Sequence, residues 1–445
     1  MNSSSKITKE LATFLGCFSI LSLFFIYYDI SWGLMDDYRW IELTKSFIDN
    51  PINYIETIRY RISEIGMVQP FLFLQFIGQY LPGIYLGTNF FYIQNLLIIL
   101  FIHYWSVITF KKSFNINYFF SLSIFLIYPY TYDMFFLPSL QEKFCFLLFL
   151  YLVNKLNTEK VLANKEFLKI FIISLLLPLI KLQGAIFIFY IFLNYLKNRD
   201  SATVYSLVGI STGITIQAYS LFFLNAHYYT VNNSYSNLFS NLTSIQNLFF
   251  ILIIFITFLI ALLDENRQTT FDVLGLIISS LALIYLYINW ETYGYLLSFY
   301  AFFIAIFIPY IIQKVFIVFS LEINNKFLNV ILSLLVLSSS YLFFLPRMER
   351  WSDINAVYET LDDNLIAGEI YYCSSEGALT FNGLNNSKNN VVHANNPADV
   401  EEQIFYFITD DMQCSYFEET LINTCSVNSA FPSKYGRSEI IKISC

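Results

Sequence analysis

The run LATFLGCFSILSLFFIYYDI, residues 11–30, decides the class of fold. At 1.5 Å per residue, a helix of this length spans about 30 Å, which is the thickness of the hydrocarbon core of a bilayer. No small-residue cleavage site follows the run, so we interpret it as a signal anchor that stays in the protein. The chain continues as GLMDDYR, residues 33–39, which puts two adjacent carboxylates at the predicted membrane edge.

Composition extends this interpretation to the rest of the chain. Of the 445 residues, 56% are hydrophobic and 13% are charged. Several runs of about 18 or more residues carry almost no charge, the pattern of transmembrane helices. The sequence therefore predicts an all-α polytopic membrane protein with about eleven spanning helices. The predicted spans are Leu11–Ser31, Asn89–Phe110, Ile116–Phe136, Leu140–Leu156, Phe167–Ile180, Gly184–Leu196, Val204–Leu224, Ile245–Leu263, Phe271–Asn289, Tyr295–Gln313 and Phe327–Leu345.

Two of these spans, Phe167–Ile180 and Gly184–Leu196, are too short to cross a bilayer alone. They are expected to form one hairpin that turns within the membrane around Lys181. The segment Met67–Leu86 is apolar but contains three glutamines and two prolines. We predict that it lies on the membrane or re-enters it.

Basic residues in the short loops set the predicted orientation. With these spans, thirteen lysines and arginines fall on the side of the N-terminus and five on the other side. By the positive-inside rule the N-terminus is cytoplasmic, so the first long loop, about 33–88, and the C-terminus lie outside. In that loop, Tyr38–Phe47 and Ile55–Ile65 have apolar residues at helical spacing and are predicted to be amphipathic helices on the outer face.

The last hundred residues differ in composition from the membrane body, predicted as 1–345. The segment 346–445 holds 6 basic and 15 acidic residues, whereas the remainder has a net charge of +1. An acidic tail argues against nucleic acid as a partner. A small external α/β domain is expected here. Its predicted elements are a helix at Trp351–Leu361 and strands at Glu369–Cys373, Asn390–Val392, Gln403–Thr409 and Ile440–Ser444.

Four of the six cysteines lie in this tail, at positions 373, 414, 425 and 445. An external compartment permits disulfides, and four cysteines allow three connectivities. Cys17 and Cys145 lie in apolar runs and are interpreted as packing residues. No cysteine or histidine spacing in the chain indicates zinc.

Asp36 and Asp37 are the first candidates for chemistry. A carboxylate at the lipid–water boundary suits a general base or a metal ligand, and partial burial raises its pKa toward the working range. Adjacent helical residues point about 100° apart, so the two are not expected to share one role. The alternative is that they only mark the membrane edge.

Ionisable residues at the predicted outer ends of spans form a second group. Lys181, two residues before Gln183, lies between two apolar runs, where a charged side chain is costly. A lysine at this position suits the phosphate of a lipid carrier. The alternative is that its side chain snorkels to the interface. Glu142 and Lys143 begin a span and either line the same cavity or form a solvated helix start.

Other outer-face residues are candidates for substrate contacts. Arg347 and Arg350 follow the last predicted span on the outer side, where the positive-inside rule does not account for basic residues. They suit the capture of a phosphate or pyrophosphate, or pairing with lipid headgroups. Glu291 lies in a very short outer loop and is a candidate contact for an acceptor sugar.

Together these features resemble the GT-C superfamily of membrane glycosyltransferases. The resemblance rests on Asp36-Asp37 in a long first outer loop, on short broken spans, on the turn Lys181-Leu182-Gln183-Gly184 and on a soluble domain after the last span. Within the superfamily, Asp36-Asp37-Tyr38-Arg39 is most similar to the bacterial serotype-converting glucosyltransferases that modify O-antigen. Those enzymes tend to have one more residue before the arginine.

The resemblance implies an inverting transfer of a sugar, glucose in the closest enzymes, from a polyprenyl-phosphate donor to a glycan such as the O-antigen of lipopolysaccharide. The reaction would take place on the periplasmic face of the bacterial inner membrane. Asp36 or Asp37 would activate the acceptor hydroxyl, and Lys181, Arg347 and Arg350 would hold the donor phosphate. No cofactor is required, although some members of the superfamily use a divalent metal.

Two other functions fit parts of the sequence. An O-antigen polymerase with a polyprenyl-pyrophosphate donor also has many spans and outer arginines, but it usually carries its large loop late in the chain. A transporter or flippase of lipid-linked sugars predicts paired repeats and ionisable residues near the middle of several spans.

Overall fold

A computed structural model describes most of the chain between residues 3 and 362 and the strands of the tail. The ranges outside it before residue 363 are 1–2, 29, 31–36, 61–75, 137–140, 159–163, 224–242, 264–266, 290–298 and 319–324. In the tail the described residues are 366, 369–373, 378, 391–394, 400, 404–410, 414, 420 and 425–444.

Helices make up most of the described chain. In chain order they are α1 (Ser3–Tyr28), α2 (Asp37–Asp49), α3 (Asn53–Tyr60), α4 (Leu81–Leu86), α5 (Thr88–Phe114), α6 (Tyr118–Ile127), α7 (Thr131–Phe136), α8 (Glu142–Thr158), α9 (Asn164–Ile180), α10 (Ile188–Asn198), α11 (Ser201–Phe223), α12 (Ile245–Leu262), α13 (Arg267–Asn289), α14 (Tyr300–Val318), α15 (Asn325–Ser339) and α16 (Leu345–Asp362). Single π-helical turns, Phe76–Tyr80 and Ser340–Phe344, precede α4 and α16, and a 3₁₀ helix, Leu182–Phe187, precedes α10.

Six stretches of the described helices are long and apolar enough to cross a membrane. They are Lys9–Tyr28, Thr88–Lys111, Ile245–Leu262, Thr269–Leu286, Tyr300–Ile317 and Phe327–Leu361. A described helix overlaps each of the eleven predicted spans, but the helices outside these six stretches are shorter or less apolar. The structure thus supports a helical membrane protein, and the count of eleven crossings stays a prediction.

Helices α2 and α3 match the two predicted amphipathic helices, and residues 61–65 of the second prediction lie outside the described residues. Their apolar residues recur at helical spacing, with charged residues between them. The predicted re-entrant segment is described only from Phe76, where a π-helical turn leads into α4.

The chain divides into two compact units. The first comprises Met1–Gly16, Asn50–Gln75 and Leu96–Ser339, and the second comprises Cys17–Asp49, Phe76–Asn95 and Ser340–Cys445. The predicted domain boundary at 345/346 falls inside a continuous helical stretch from α15 through the π turn into α16. The unit boundary lies a few residues earlier, and the second unit also takes in Cys17–Asp49 and Phe76–Asn95.

In the first unit, the contacts among α8, α9 and α10 show that the chain reverses at Lys181. Glu142 at the start of α8 meets Lys181 just after α9, and Lys155 near the end of α8 meets Glu166 near the start of α9, so these two helices are antiparallel. Phe149 and Asn157 of α8 meet Phe187 and Asn194 respectively. Since α10 thus runs parallel to α8, it runs antiparallel to α9, as expected for the predicted hairpin.

The second unit contains a five-stranded sheet. Its strands are β1 (Ile370–Tyr372), β2 (Val391–His393), β3 (Ile404–Ile408), β4 (Ser426–Phe431) and β5 (Ile440–Ser444). The order is β2-β1-β3-β5-β4; β1 is parallel to β2 and β3, and β5 is antiparallel to β3 and β4. The four predicted strands and the predicted helix are all present, whereas β4 was not predicted.

A buried ion pair joins α16 to the carboxyl edge of the sheet. The guanidinium of Arg350 donates from Nε and Nη2 to the two carboxylate oxygens of Asp410, at 2.7 and 2.5 Å. The hydroxyl of Tyr372 also donates to Asp410, at 2.8 Å. Burial, and then the charge of Asp410, raise the pKa of Tyr372 well above its usual value, so this phenol stays protonated and remains a donor.

Asp353 of α16 holds the turn between β4 and β5. Its two carboxylate oxygens accept the backbone N–H groups of Tyr435 and Arg437, at 3.0 and 2.8 Å. The ring of Tyr435 also packs on Tyr28 at the end of α1, with centroids 5.4 Å apart. Within this unit the turn thus links α16, the sheet and the end of the first membrane helix.

The tail carries a disulfide between Cys373 and Cys414, which closes a loop of 41 residues. Cys373 directly follows β1, so the bridge fastens the carboxyl edge of the sheet. Cys425 is disulfide-bonded as well, whereas Cys17 and Cys145 are free, as the sequence predicted for two packing residues.

Replacing Cys373 and Cys414 together by serine is expected to lower the free energy of unfolding of the tail by about 2–4 kcal/mol, because the bridge restricts a long loop in the unfolded chain. Protease resistance of the tail in increasing urea, measured on the full-length protein in detergent, gives this value. Serine at Cys17, a free thiol in α1, is the control and should leave the tail unchanged. Equal resistance of the double variant and the wild type would contradict the prediction.

Candidate site at the polar end of the first unit

The strongest candidate site is an ion pair between Glu142 and Lys181, whose Oε1 and Nζ atoms lie 3.7 Å apart. Glu142 is the first residue of α8, where the helix dipole favours a negative charge. Lys181 has extended backbone angles and stands between α9 and the 3₁₀ helix. The antiparallel packing of α8 and α9 brings these helix ends together.

The ion pair has one exposed and one buried partner. The side chain of Lys181 is 26% exposed, whereas that of Glu142 is only 3% exposed. Lys143, next in sequence, is buried, and its Nζ lies 5.4 Å from the centre of the Phe144 ring. The part-exposed ammonium of Lys181 is the group of this ion pair that suits an anion such as a phosphate.

Two buried acceptor atoms at this site have no hydrogen-bond partner among the residues that the structure describes. They are Oε2 of Glu142 and Oε1 of Gln183, and Gln183 is 4% exposed. A buried acceptor without a partner costs about 1–3 kcal/mol, so native proteins leave few of them. Such atoms are therefore candidates for contacts with a ligand.

The backbone at the turn is held by a close approach that only glycine permits. A Cβ added to Gly184 would lie 2.1 Å from the carbonyl oxygen of Leu177. The same oxygen accepts a hydrogen bond from Sγ of Cys145, at 3.5 Å. The 3₁₀ helix, α8 and α9 are thus packed against each other at the position of the ion pair.

Other polar contacts lie at the same end of the first unit. Nε2 of Gln246 donates to the hydroxyl of Tyr130, at 2.8 Å, and the hydroxyl of Tyr300 donates to Asn247, at 2.9 Å. The ring centroids of Phe146, near the start of α8, and Phe299, next to Tyr300, are 5.7 Å apart. These polar contacts therefore lie near the start of α8.

The opposite helix ends carry a separate set of ion pairs. Lys155 pairs with Glu166 at 3.4 Å, and Lys197 pairs with Asp272 at 3.6 Å. Asp272 also accepts hydrogen bonds from Tyr190 and Ser113. The basic residues here belong to the group that the sequence predicts to be cytoplasmic.

Four predicted site residues lie outside what the structure describes, in whole or in part. Asp36 and Glu291 are outside the described residues. The backbones of Asp37 and Arg39 lie in the first turn of α2, but their side chains are not described. The predicted roles of these residues therefore stay predictions.

The two predicted arginines lie in the second unit and have partners there. Nη1 of Arg347 donates to the carbonyl oxygen of Phe343, at 2.6 Å. Arg350 is 6% exposed and makes the paired hydrogen bonds to Asp410. In this geometry Arg350 braces α16 against the sheet, and its predicted contact with a donor phosphate has no support.

Two buried polar residues were not singled out by the sequence analysis. Asp410 directly follows β3, and the position of a carboxylate just after an apolar strand was the available signal. Gln79, in the π-helical turn, is buried, and neither of its side-chain polar atoms has a partner in the described ranges. Its π-helical turn is a feature often found at functional sites.

Comparisons with known proteins do not assign the chain to a family. No protein-family model, no curated protein and no solved structure matches it. The resemblance to the GT-C superfamily stays a prediction from the sequence. Among the described residues, no three histidine, cysteine, aspartate or glutamate side chains come together as a metal site.

Proposed function

We propose that the protein is a membrane glycosyltransferase that moves a sugar, glucose in the first instance, from a polyprenyl-phosphate donor to a cell-surface glycan such as O-antigen. The proposed location is the bacterial inner membrane, with about eleven crossings, the N-terminus in the cytoplasm and the tail in the periplasm. The observation that carries the proposal is the ion pair of Glu142 and Lys181 among apolar helices. Two buried acceptor oxygens at the same site, Oε2 of Glu142 and Oε1 of Gln183, have no partner among the described residues.

The chemistry of this pair suits a lipid-linked phosphate. Lys181 is part-exposed and its ammonium has three N–H donors on a flexible stem, so it can contact phosphate oxygens while it keeps its contact with Glu142. Lys143 adds a second positive charge close by in sequence. As the bond between the sugar and the phosphate breaks, negative charge grows on the phosphate, and these cations stabilise it.

The apolar character of the surrounding helices favours a lipid over a soluble sugar nucleotide. Aromatic side chains such as Phe187 and Tyr300 are buried beside the polar end. Helices α11 and α12 have exposed apolar side chains, among them Tyr219, Ile245 and Phe249. A polyprenyl chain gains free energy by lying against such surface. In this proposal the acceptor hydroxyl is deprotonated by Asp36 or Asp37.

Replacing Lys181 with glutamine tests the phosphate site directly. We expect the affinity for polyprenyl phosphate, measured on purified protein in lipid nanodiscs, to fall about tenfold or more, because a charge-assisted contact contributes about 1.5–3 kcal/mol. The control is Lys169→Gln, which removes an exposed lysine of α9 that pairs with Glu166 near the other end of the helix. Unchanged affinity of the Lys181 variant would remove the support for the proposal.

A further inference from the structure

We infer that Glu142 and Gln183 form a subsite that recognises hydroxyl groups of the donor sugar, so that this protein distinguishes a sugar-bearing lipid phosphate from the bare lipid phosphate. The inference rests on the proposed function, because it takes the ligand of Lys181 to be a polyprenyl phosphate. It also assigns the atoms that bind the sugar hydroxyls and the atoms that bind the phosphate.

The first step is the number and type of unfilled atoms. Oε2 of Glu142 and Oε1 of Gln183 are both acceptors, and within the described part of the chain both are buried without a partner. An acceptor of this kind is satisfied only by an N–H or O–H donor. A ligand that presents more than one such donor would satisfy both acceptors.

The second step is the position of these atoms relative to the ion pair. The other carboxylate oxygen of Glu142 contacts Lys181, and Gln183 follows Lys181 by two residues in the 3₁₀ helix. The cation and the two acceptors therefore belong to one turn and the helix start packed on it. A ligand with an anionic group next to hydroxyl donors matches this set.

The third step compares the two lipids. A polyprenyl phosphate presents phosphate oxygens, which are acceptors and repel a carboxylate, so it leaves both buried acceptors unfilled. A hexose attached to the phosphate adds several hydroxyl donors that can reach them. A site built to hydrogen-bond a hydroxyl discriminates strongly against an analogue that lacks it, because its own buried groups are then left unpaired.

The test compares the affinities of polyprenyl phosphate and polyprenyl-phosphate glucose for the full-length protein in nanodiscs. We expect the wild type to bind the sugar-bearing lipid at least about tenfold more tightly. In Gln183→Met, which keeps the side-chain length and removes the acceptor, we expect most of this preference to be lost with the affinity for the bare lipid unchanged. Gln183→Glu keeps an acceptor oxygen and is expected to retain the preference.

The matched control is Gln217→Met at the same end of the first unit. Gln217 is also buried, but its Nε2 already donates to the carbonyl oxygen of Pro178, at 2.9 Å. Its replacement is expected to leave the preference for the sugar-bearing lipid intact. This control separates recognition of the ligand from a loss of packing. Protein level and elution profile check that each variant is folded.

The outcomes separate the inference from the proposed function. If the wild type binds both lipids equally, the subsite is overturned while the phosphate site stands. If Gln183→Met weakens both lipids by the same factor, the glutamine has only a structural role and the inference also fails. If the wild type binds neither lipid, the proposed function fails, and the subsite fails with it.

Discussion

Asparagine at one of the two adjacent aspartates, Asp36 or Asp37, is expected to lower sugar transfer about 10²–10⁴-fold, the usual contribution of a general base. The amide has the shape of the carboxylate but cannot take the proton of the acceptor hydroxyl. Only one of the two variants is expected to show the full loss, because neighbouring helical residues point in different directions.

The choice of asparagine isolates the charge from any helix-capping role. Asp37 is the first residue of α2 and Asp36 directly precedes it in sequence. Asparagine caps a helix about as well as aspartate, so the variants keep the start of α2. A loss of transfer would then report on proton abstraction and not on folding.

The measurement is the analysis of surface glycans from a host that expresses each variant at matched membrane levels. Asp49→Asn, at the exposed far end of the same helix, is the control and should behave as the wild type. Full glycan modification by both the Asp36 and the Asp37 variant would show that these carboxylates are loop residues. The polymerase and transporter alternatives would then come first.

Alanine at Asp410 is expected to destabilise the tail by about 3–5 kcal/mol, the largest effect on stability predicted for this chain. The change leaves the guanidinium of Arg350 buried without its carboxylate, and an uncompensated buried charge is strongly unfavourable. It also removes the acceptor of the Tyr372 hydroxyl. Replacing both members, as Arg350→Met with Asp410→Leu, is expected to cost much less, because no charge stays buried.

Loss of protease resistance in increasing urea, on full-length protein in detergent, gives these free energies. The matched control is Glu349→Ala in the same helix. Glu349 pairs with Arg437 at 3.2 Å in a more exposed position, where an ion pair contributes less than about 1 kcal/mol. A cost at Asp410 no larger than that at Glu349 would show that the buried pair does not hold the tail together.

Much of the secondary structure was predictable because it depends on local patterns. The apolar runs, the helical spacing in α2 and the short apolar strands β1, β3 and β5 are all readable within a few residues. Strand β4, with the sequence SVNSAF, contains polar and small residues. It forms a strand because it pairs with β5 in register, and a single segment carries no sign of that pairing.

The sequence predicted which residues belong to the candidate site but not that they contact each other. Lys181 and Glu142 each stand out as charged residues beside apolar runs, and the sequence marks both. Their contact depends on the antiparallel packing of α8 and α9, and the same separation along the chain is compatible with many other arrangements. Likewise, the positive-inside pattern cannot show that Arg350 is held by Asp410.

The sequence by itself determined that this is a helical membrane protein with an acidic C-terminal tail of mixed helix and strand, because hydrophobicity and its period are local properties. The tertiary structure alone decided which charges meet: Glu142 with Lys181, and Arg350 with Asp410. It also decided that acceptors on Glu142 and Gln183 are buried with no partner among the residues described. Burial and pairing depend on segments distant in sequence, so they exist only once the chain has folded.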